Sequence, residues 1–288
     1  MKKVYIILPT YNDWKSLNKV LKILDFNLKK QNKEIYIIVV NDGSSSKFKK
    51  MQKFQSFKKI TILNLKENGG SQKAIYIGLK FIQNKIKNLD KSIISILDSD
   101  GEDNPRVVKK LINFVEKKKN FFIFASRKSR TENIFLKFLN NLRLYLTWVL
   151  TGKFINFGNF SSFPSSILKK IILKDDIYLA FSSGVIKNYK KIFLHSTNKN
   201  KRFFGTSKVN LSFLILHSMK IISVFHNVVF IRSFVITSIL MIVNENLVID
   251  IIIMVLFLLL NSSLLFLNWL SKPKKRFNLY IKNILQVK

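Results

Sequence analysis

Four carboxylates fall within six residues at Asp98-Ser99-Asp100-Gly101-Glu102-Asp103, directly after an Ile-rich apolar run, Ser92–Leu97. Asp98 and Asp100, two residues apart, offer hard oxygen donors to a single cation of the kind that usually also holds phosphate oxygens. An Asp-x-Asp tripeptide is weak as a motif. Its position carries the case. The run before it has the length and composition of a buried strand, and Pro105 suits the first position of a following helix. Acids at the carboxyl end of a buried strand sit where open α/β sheets bind their ligands.

The elements that position these acids are legible on both sides. Val4–Leu8 reads as a first buried strand, closed by Pro9-Thr10-Tyr11-Asn12-Asp13. Ser16 is placed to cap a helix whose apolar residues Leu17, Val20, Leu21, Leu24 and Leu28 recur at helical spacing. Ile35–Val40 is a second strand ending in the turn sequence Asn41-Asp42-Gly43-Ser44, followed by a Lys/Phe-rich helix and a strand at Ile60–Leu65. Asn68-Gly69-Gly70-Ser71 is another turn, with Ser71 capping a helix over Gln72–Gln83. After the acidic strand come a helix from Pro105 to about Lys117 and a strand at Phe121–Ala125. Five alternations predict right-handed βαβ units, an α/β fold and a mostly parallel sheet whose polar strand ends share one edge. No Gly-x-Gly-x-x-Gly and no Walker lysine loop occurs, which excludes a dinucleotide Rossmann reading and a P-loop enzyme.

The formal charge is +34, from 50 basic and 16 acidic residues, and only seven of the basic residues are Arg. Such a chain favours anionic partners: phosphates, acidic headgroups or nucleic acid. Without cysteine, disulfides and thiolate metal sites are excluded. His195, His217 and His226 have no metal-ligand spacing and read as structural; Asp175-Asp176 reads as a solvated helix end. Met1-Lys2-Lys3 leads into only five apolar residues before Pro9, too few for a signal peptide, so the N-terminal domain is expected in the cytoplasm.

Downstream, Glu132–Gly152 reads as a helix basic on one side, with Phe135, Leu139, Leu142, Leu146 and Val149 on an apolar stripe that is core-facing by default, with a membrane-touching face as the alternative. Asn156–Phe160 is a glycine-and-aromatic turn before a helix at Ser165–Leu173, and Lys199–Lys208 is a basic loop. The C-terminal fifth changes character. Ile221–Val243 holds one charge, Arg232, and Leu247–Leu270 only Asp250. At about 1.5 Å per residue each exceeds a hydrocarbon core of about 30 Å. Lys220 before the pair, and Lys272, Lys274, Lys275 and Arg276 after it, put both outer ends in the cytoplasm. Arg232 in mid-span, costing about 2.5–3.5 kcal/mol on insertion scales, leaves two alternatives. It faces the partner helix, or the true span starts later.

Taken together, Pro9-Thr10-Tyr11-Asn12-Asp13, Asn41-Asp42-Gly43-Ser44, Asn68-Gly69-Gly70 with Ala74, and Leu97–Asp103 resemble, in order and spacing, the GT-A glycosyltransferases of family 2. The loop Arg202–Lys208 and the terminal hairpin resemble the polyprenyl-phosphate (dolichyl- or undecaprenyl-phosphate) sugar transferase group. The resemblance implies a cytoplasmic GT-A domain over 1–206, an interfacial amphipathic helix over 207–220, two transmembrane helices within 221–270 and a basic tail over 271–288. Pro9, Thr10, Tyr11, Asp13, Asp42, Gly43, Asn68, Gly69, Asp98 and Ser207 would bind the nucleotide sugar. Asp98, Asp100 and Glu102 would hold Mg²⁺ or Mn²⁺. Asp100, Arg127, Arg202 and Lys208 would be catalytic, and Arg127, Arg130 and Lys137 would meet the acceptor phosphate.

The implied enzyme is an inverting, metal-dependent transferase in a bacterial plasma membrane. Its partners are a nucleotide sugar and a lipid phosphate, with no nucleic acid and a homo-oligomer left open. Departures from the pattern are Lys137 and Asn141 for an Arg and a Ser, Asn156 for an Asp, and Ser162 for an Arg. The first rival is a family 2 enzyme acting on a polysaccharide or lipopolysaccharide acceptor. It needs a general base, for which only Asp175 and Asp176 stand between 153 and 200. The second is a basic, non-catalytic membrane protein that binds nucleic acid or acidic lipid, which would not need the acids at 98, 100 and 102.

Overall fold

Alternate residues of the first strand, β1 (Lys3–Thr10), enter two different cores. Val4, Ile6 and Leu8 pack with helices α1 (Trp14–Leu28) and α3 (Val108–Lys117), whereas Tyr5 and Ile7 pack with α2 (Ser71–Lys85). A strand buried on both faces must be apolar throughout, which is why the chain writes such strands as continuous Ile/Val/Leu runs. The computed structural model describes residues 3–46, 53–85, 91–127, 134–205, 211–273 and 277–287.

These residues form two compact units. In the first, β2 (Glu34–Asn41), β3 (Phe57–Leu65) and β4 (Ile93–Ile96) run parallel to β1. The eight strands stand in the order β7-β5-β6-β4-β1-β2-β3-β8. The register pairs Thr10 with Asn41 and Asn41 with Asn64, so three strands end level with one another. β5 (Phe122–Arg127) and β7 (Ile192–Thr197) are mutually parallel, and β6 (Phe157–Pro164) lies between β4 and β5, antiparallel to both. The short helices α5 (Ser165–Ile171), α6 (Asp176–Leu179) and α7 (Phe181–Asn188) cover the face that α2 also covers.

Several local expectations are corrected here. Asp13, not Ser16, caps α1: its Oδ1 accepts from the Ser16 amide at 3.2 Å, and Ser16 itself is buried within the first turn. Pro105 opens a 3₁₀ turn that leads into α3. The segment read as a turn at 156–160 is largely strand β6, because Phe157 and Phe163 drop into one core and Phe160 into the other. Burial from both sides overrides the weak strand propensity of its Gly, Asn and Ser. Ser162, which stands where the family pattern has an Arg, is fully buried and shares a 2.8 Å hydrogen bond with Ser95 of β4. Asp176 is not a solvated end, since Lys187 and Asn188 hold its carboxylate at 3.1 and 2.9 Å. The stretch 271–288 does not trail as a tail. Its strand β8 (Ile281–Val287) pairs antiparallel with β3 and closes the sheet on that side. The Lys/Phe-rich helix expected after Ser44 lies mostly outside the described residues.

The second unit contains α4 (Ile134–Thr151), α8 (Leu211–Ser223), α9 (His226–Val243) and α10 (Leu247–Leu270). α9 and α10 are long and apolar enough to cross a membrane. Polar side chains tie α10 to its neighbours: Asn261 on α10 donates to Ser233 Oγ of α9 at 3.1 Å, and Ser223 Oγ, at the end of α8, donates to the Leu264 carbonyl at 2.7 Å.

The stripe expected to make α4 core-facing is partly wrong. Leu142 and Leu146 are exposed, while Leu144, Thr147 and Thr151 are buried, the two Thr hydroxyls satisfied by carbonyls one turn back. The helix breaks at Val224–Phe225, so Arg232 stands six residues into α9 rather than at mid-span. The apolar helix thus starts at His226 rather than Ile221, in line with the alternative of a later start. Arg232 Nη1 donates to the carbonyls of Trp148 and Val149 at 3.1 and 2.9 Å, capping the C-terminal end of α4, where helical carbonyls lack partners and positive charge is favoured.

Candidate active site

The strand ends of the first unit are tied to one another by short polar contacts. Ser99 Oγ donates to the Pro9 carbonyl at 2.7 Å, joining the ends of β4 and β1. Asn12, held at φ 51°, donates its amide to Ser44 Oγ at 2.8 Å and accepts from the Ser46 amide and hydroxyl. Trp14 Nε1 reaches the Ser46 carbonyl at 3.0 Å. The loops after β1 and β2 therefore behave as one piece.

Asp42 is buried, and its two carboxylate oxygens accept from the amides of Gly69 and Gly70 at 2.9 and 2.7 Å. Burial pushes this carboxyl above its usual range, opposed by those two amides and the charge of Lys73. Its role here is to hold the loop after β3 rather than to project freely. Gly43, at φ +66°, permits the approach: a Cβ there would meet the Asn68 nitrogen and the Glu67 carbonyl carbon at 2.6 Å.

The four carboxylates after β4 divide their work. Asp103 is buried and accepts from the Asp98 amide at 3.1 Å, folding the loop back on its own strand. Glu102 pairs with Lys199 at 2.8 Å. Asp100 Oδ1 accepts from the Glu102 amide at 2.9 Å, and its Oδ2 stands 3.5 Å from Arg202 Nη1. Burial raises the Asp100 carboxyl; the Glu102 amide and Arg202 pull it back, and the charges of Glu102 and Asp103 add to the rise.

Arg202 spans the site. Its Nη2 donates to Asp13 Oδ2 at 2.8 Å while Nη1 faces Asp100, a two-carboxylate contact suited to the planar guanidinium fork. The segment around it is pinned by main chain: the Phe203 amide donates to the Asp100 carbonyl at 2.9 Å and the Asn200 amide to the Glu102 carbonyl at 3.0 Å. The Phe203 ring lies against Gly101, where any Cβ would overlap it, and Lys19 sits over that ring at 4.5 Å.

Of the expected site residues, the fold brings together Pro9, Thr10, Asp13, Asp42, Gly43, Asn68, Gly69, Asp98, Asp100, Glu102 and Arg202 at one set of strand ends. Tyr11 is exposed on the β1 loop. Arg127 ends β5 and Lys137 lies in α4 of the second unit, both with side chains outside the described set; Arg130, Ser207 and Lys208 lie outside the described residues. Sequence reasoning missed Lys199, Phe203, Asn12 and Lys73. Only the density of Lys and Phe in the loop hinted at the first two.

Asp98 and Asp100 supply the hard oxygen donors that a divalent cation beside diphosphate oxygens would take. Arg202 beside Asp100 marks the same spot as one that favours positive charge. The expected third ligand does not fit as well, because Lys199 occupies Glu102 and no three acidic or His side chains gather to hold a metal among the described residues.

A parallel-sheet α/β site with acids, glycine loops and a guanidinium at its strand ends is built to hold a nucleoside diphosphate. The model of the family described as glycosyl transferase family 2 matches residues 5–173. The chain belongs to that family. It is 25% identical over 221 residues, 71% of each chain, to an uncharacterised Mycoplasma pneumoniae glycosyltransferase, the MG060 homolog. In fold it is similar to glucosyl-3-phosphoglycerate synthase from Mycobacterium tuberculosis, solved with Mn²⁺, UDP-glucose and phosphoglyceric acid. The TM-score is 0.55 at 12% identity, covering 79% of this chain and 80% of that one. S. aureus TarS aligns at TM-score 0.46 and 16% identity, over 81% of this chain; this chain spans 65% of that structure's length. The fold is GT-A.

Proposed function

We propose that this chain moves a sugar from a nucleoside-diphosphate sugar to a polyprenyl phosphate at the cytoplasmic face of a bacterial membrane. The observation that carries the reading is the occurrence, in one chain, of the Asp98–Asp100–Arg202 site and of two helices long and apolar enough to span a bilayer. The nucleoside lies across the ends of β1 and β2, against Pro9, Thr10, Tyr11 and Asp13, with Gly43, Asn68 and Gly69 shaping its bed and Asp42 fixing that bed. Asp98 and Asp100 would hold Mg²⁺ or Mn²⁺, which would supply charge neutralisation at the diphosphate.

Arg202 exchanges Asp13 and Asp100 for diphosphate oxygens when the donor enters, and with Ser207 and Lys208 stabilises the departing nucleoside diphosphate. Arg127, Arg130 and Lys137 meet the acceptor phosphate. A phosphate oxygen of the lipid forms the new bond to the anomeric carbon as the bond from that carbon to the diphosphate breaks, its electron pair leaving with the diphosphate. One such displacement inverts the centre. The acceptor is already an anion, so no general base is needed.

The test uses membranes carrying the protein, a panel of radiolabelled nucleotide sugars, undecaprenyl phosphate and divalent metal. Label entering the lipid fraction, dependent on metal and absent in Asp100→Ala, is the expected result. Label in polysaccharide alone would replace the acceptor with a saccharide, and no transfer from any donor would sink the enzyme reading.

A further inference from the structure

We infer that the C-terminal strand β8, reached only after the two apolar helices, is a positioning element of the nucleotide-binding end, acting through Asn283 and Tyr280. This rests on the nucleotide-sugar reading of the site. Two separate lines of contact lead from β8 to the two loops that line it.

The first is a row of side-chain amides across three strands. Asn64 Nδ2 donates to Asn283 Oδ1 at 2.6 Å, and Asn41 Nδ2 donates to Asn64 Oδ1 at 2.7 Å. Asn41 Oδ1 then accepts from the Ser44 amide at 3.1 Å. The row thus ends on the Asn41–Ser44 turn itself, one residue from Gly43. Every bond points the same way, so each polarises the next. An Asn in the last position of β2 is otherwise a poor strand residue, and here its two amide ends are used in opposite directions.

The second line runs through Tyr280. The Lys66 amide donates to the Tyr280 carbonyl at 3.0 Å, which extends the β3–β8 ladder to the start of the glycine loop. The buried Tyr280 ring stands 5.4 Å from Lys73 Nζ. Lys73 pairs with Glu67 at 3.0 Å and lays its stem against Gly69, where any Cβ would overlap it. Asp42 grips the same loop from the other side through Gly69 and Gly70. The loop is therefore clamped between the acid that follows β2 and a lysine whose position Tyr280 shares in setting.

The experiment uses the full-length protein in detergent and measures binding of UDP, GDP, CDP, ADP and dTDP, following the nucleotide that wild type binds most tightly. Asn283 is exposed, so Asn283→Ala is expected to fold and to melt within a few degrees of wild type. It should nevertheless weaken nucleotide binding about three- to tenfold, the size of one lost hydrogen bond. Asn283→Asp keeps the acceptor oxygen and should restore binding. Tyr280→Phe, which keeps the ring, should bind like wild type, whereas Tyr280→Ala should not. A merely structural strand would lower the melting temperature in these variants without this split. Unchanged binding in Asn283→Ala, or no recovery in Asn283→Asp, overturns the inference alone. A wild-type chain that binds none of the five overturns the nucleotide-sugar reading and this inference with it.

Discussion

Arg202 and Asp42 each make a separable prediction. Arg202 touches Asp13 and Asp100 at once, which a point-charge ammonium on a flexible stem cannot reproduce. Arg202→Lys is expected to lower kcat about 10²-fold or more with the melting temperature nearly unchanged, measured as initial rates at saturating donor. Asp42 is expected to shape the acid limb of donor binding. Its carboxyl is raised by burial from the usual 3.8, so it takes up a proton at higher pH than an exposed Asp does. Once neutral, it accepts weakly from Gly69 and Gly70 and the loop loosens.

Donor KM should therefore rise as pH falls through that raised value. Asp42→Asn, which cannot titrate, should have a high but flat KM. A raised folded-state pKa also means that ionisation costs stability. The contribution of this group is full below its unfolded pKa and is lost as pH rises through the folded one. Asp42→Asn removes that titration but turns an NH₂ toward one of the two glycine amides, so at pH 7 it is expected to melt lower than wild type; an unchanged melting temperature would contradict the loop-holding role.

At the scale of elements, the site depends on loops held by backbone rather than by the strands alone. Gly43 is the tightest point, since a methyl group at φ +66° would strike the backbone of Glu67 and Asn68, which has no freedom to yield. Gly43→Ala is expected to cost about 1–3 kcal/mol in denaturant unfolding and to weaken nucleotide binding together with stability. That joint loss differs from the binding-only loss expected for Asn283→Ala. The elements also explain why β6 and β8 are easy to overlook. Neither has an apolar run of its own, and each becomes a strand because a neighbouring edge, of β4 and β5 or of β3, offers unpaired backbone groups.

At the scale of the whole molecule, the second unit holds an arginine where a span would not ordinarily keep one. Arg232 Nη1 caps α4, and its guanidinium rests against Gly152 with Nη1 3.1 Å from where a Cβ would stand. Arg232→Leu makes α9 more apolar and removes the cap from the Trp148 and Val149 carbonyls, the first of which keeps the Gly152 amide. It is expected to insert at least as well as wild type yet to melt lower in detergent, read by alkaline extraction of membranes beside thermal unfolding. A variant that melts as wild type does would show that the α4 cap contributes nothing.

The sequence by itself determined the things that depend on local pattern. Continuous apolar runs named β1 to β5, apolar residues at helical spacing named α1, and the carboxylates, glycines and asparagines at the run ends named the side of the sheet where chemistry happens. Two uninterrupted apolar stretches named α9 and α10. What only the tertiary structure decided is which of those polar residues do which work. Four acids in six residues look equivalent on paper. Packing gives Asp103 to the main chain of Asp98, Glu102 to Lys199, and Asp100 to the Glu102 amide and Arg202. Asp13 and Arg202 meet across 189 positions, and Asn283 reaches Asn64 across 219. Contacts at such separation are fixed by the order and register of strands, which no local window of residues contains.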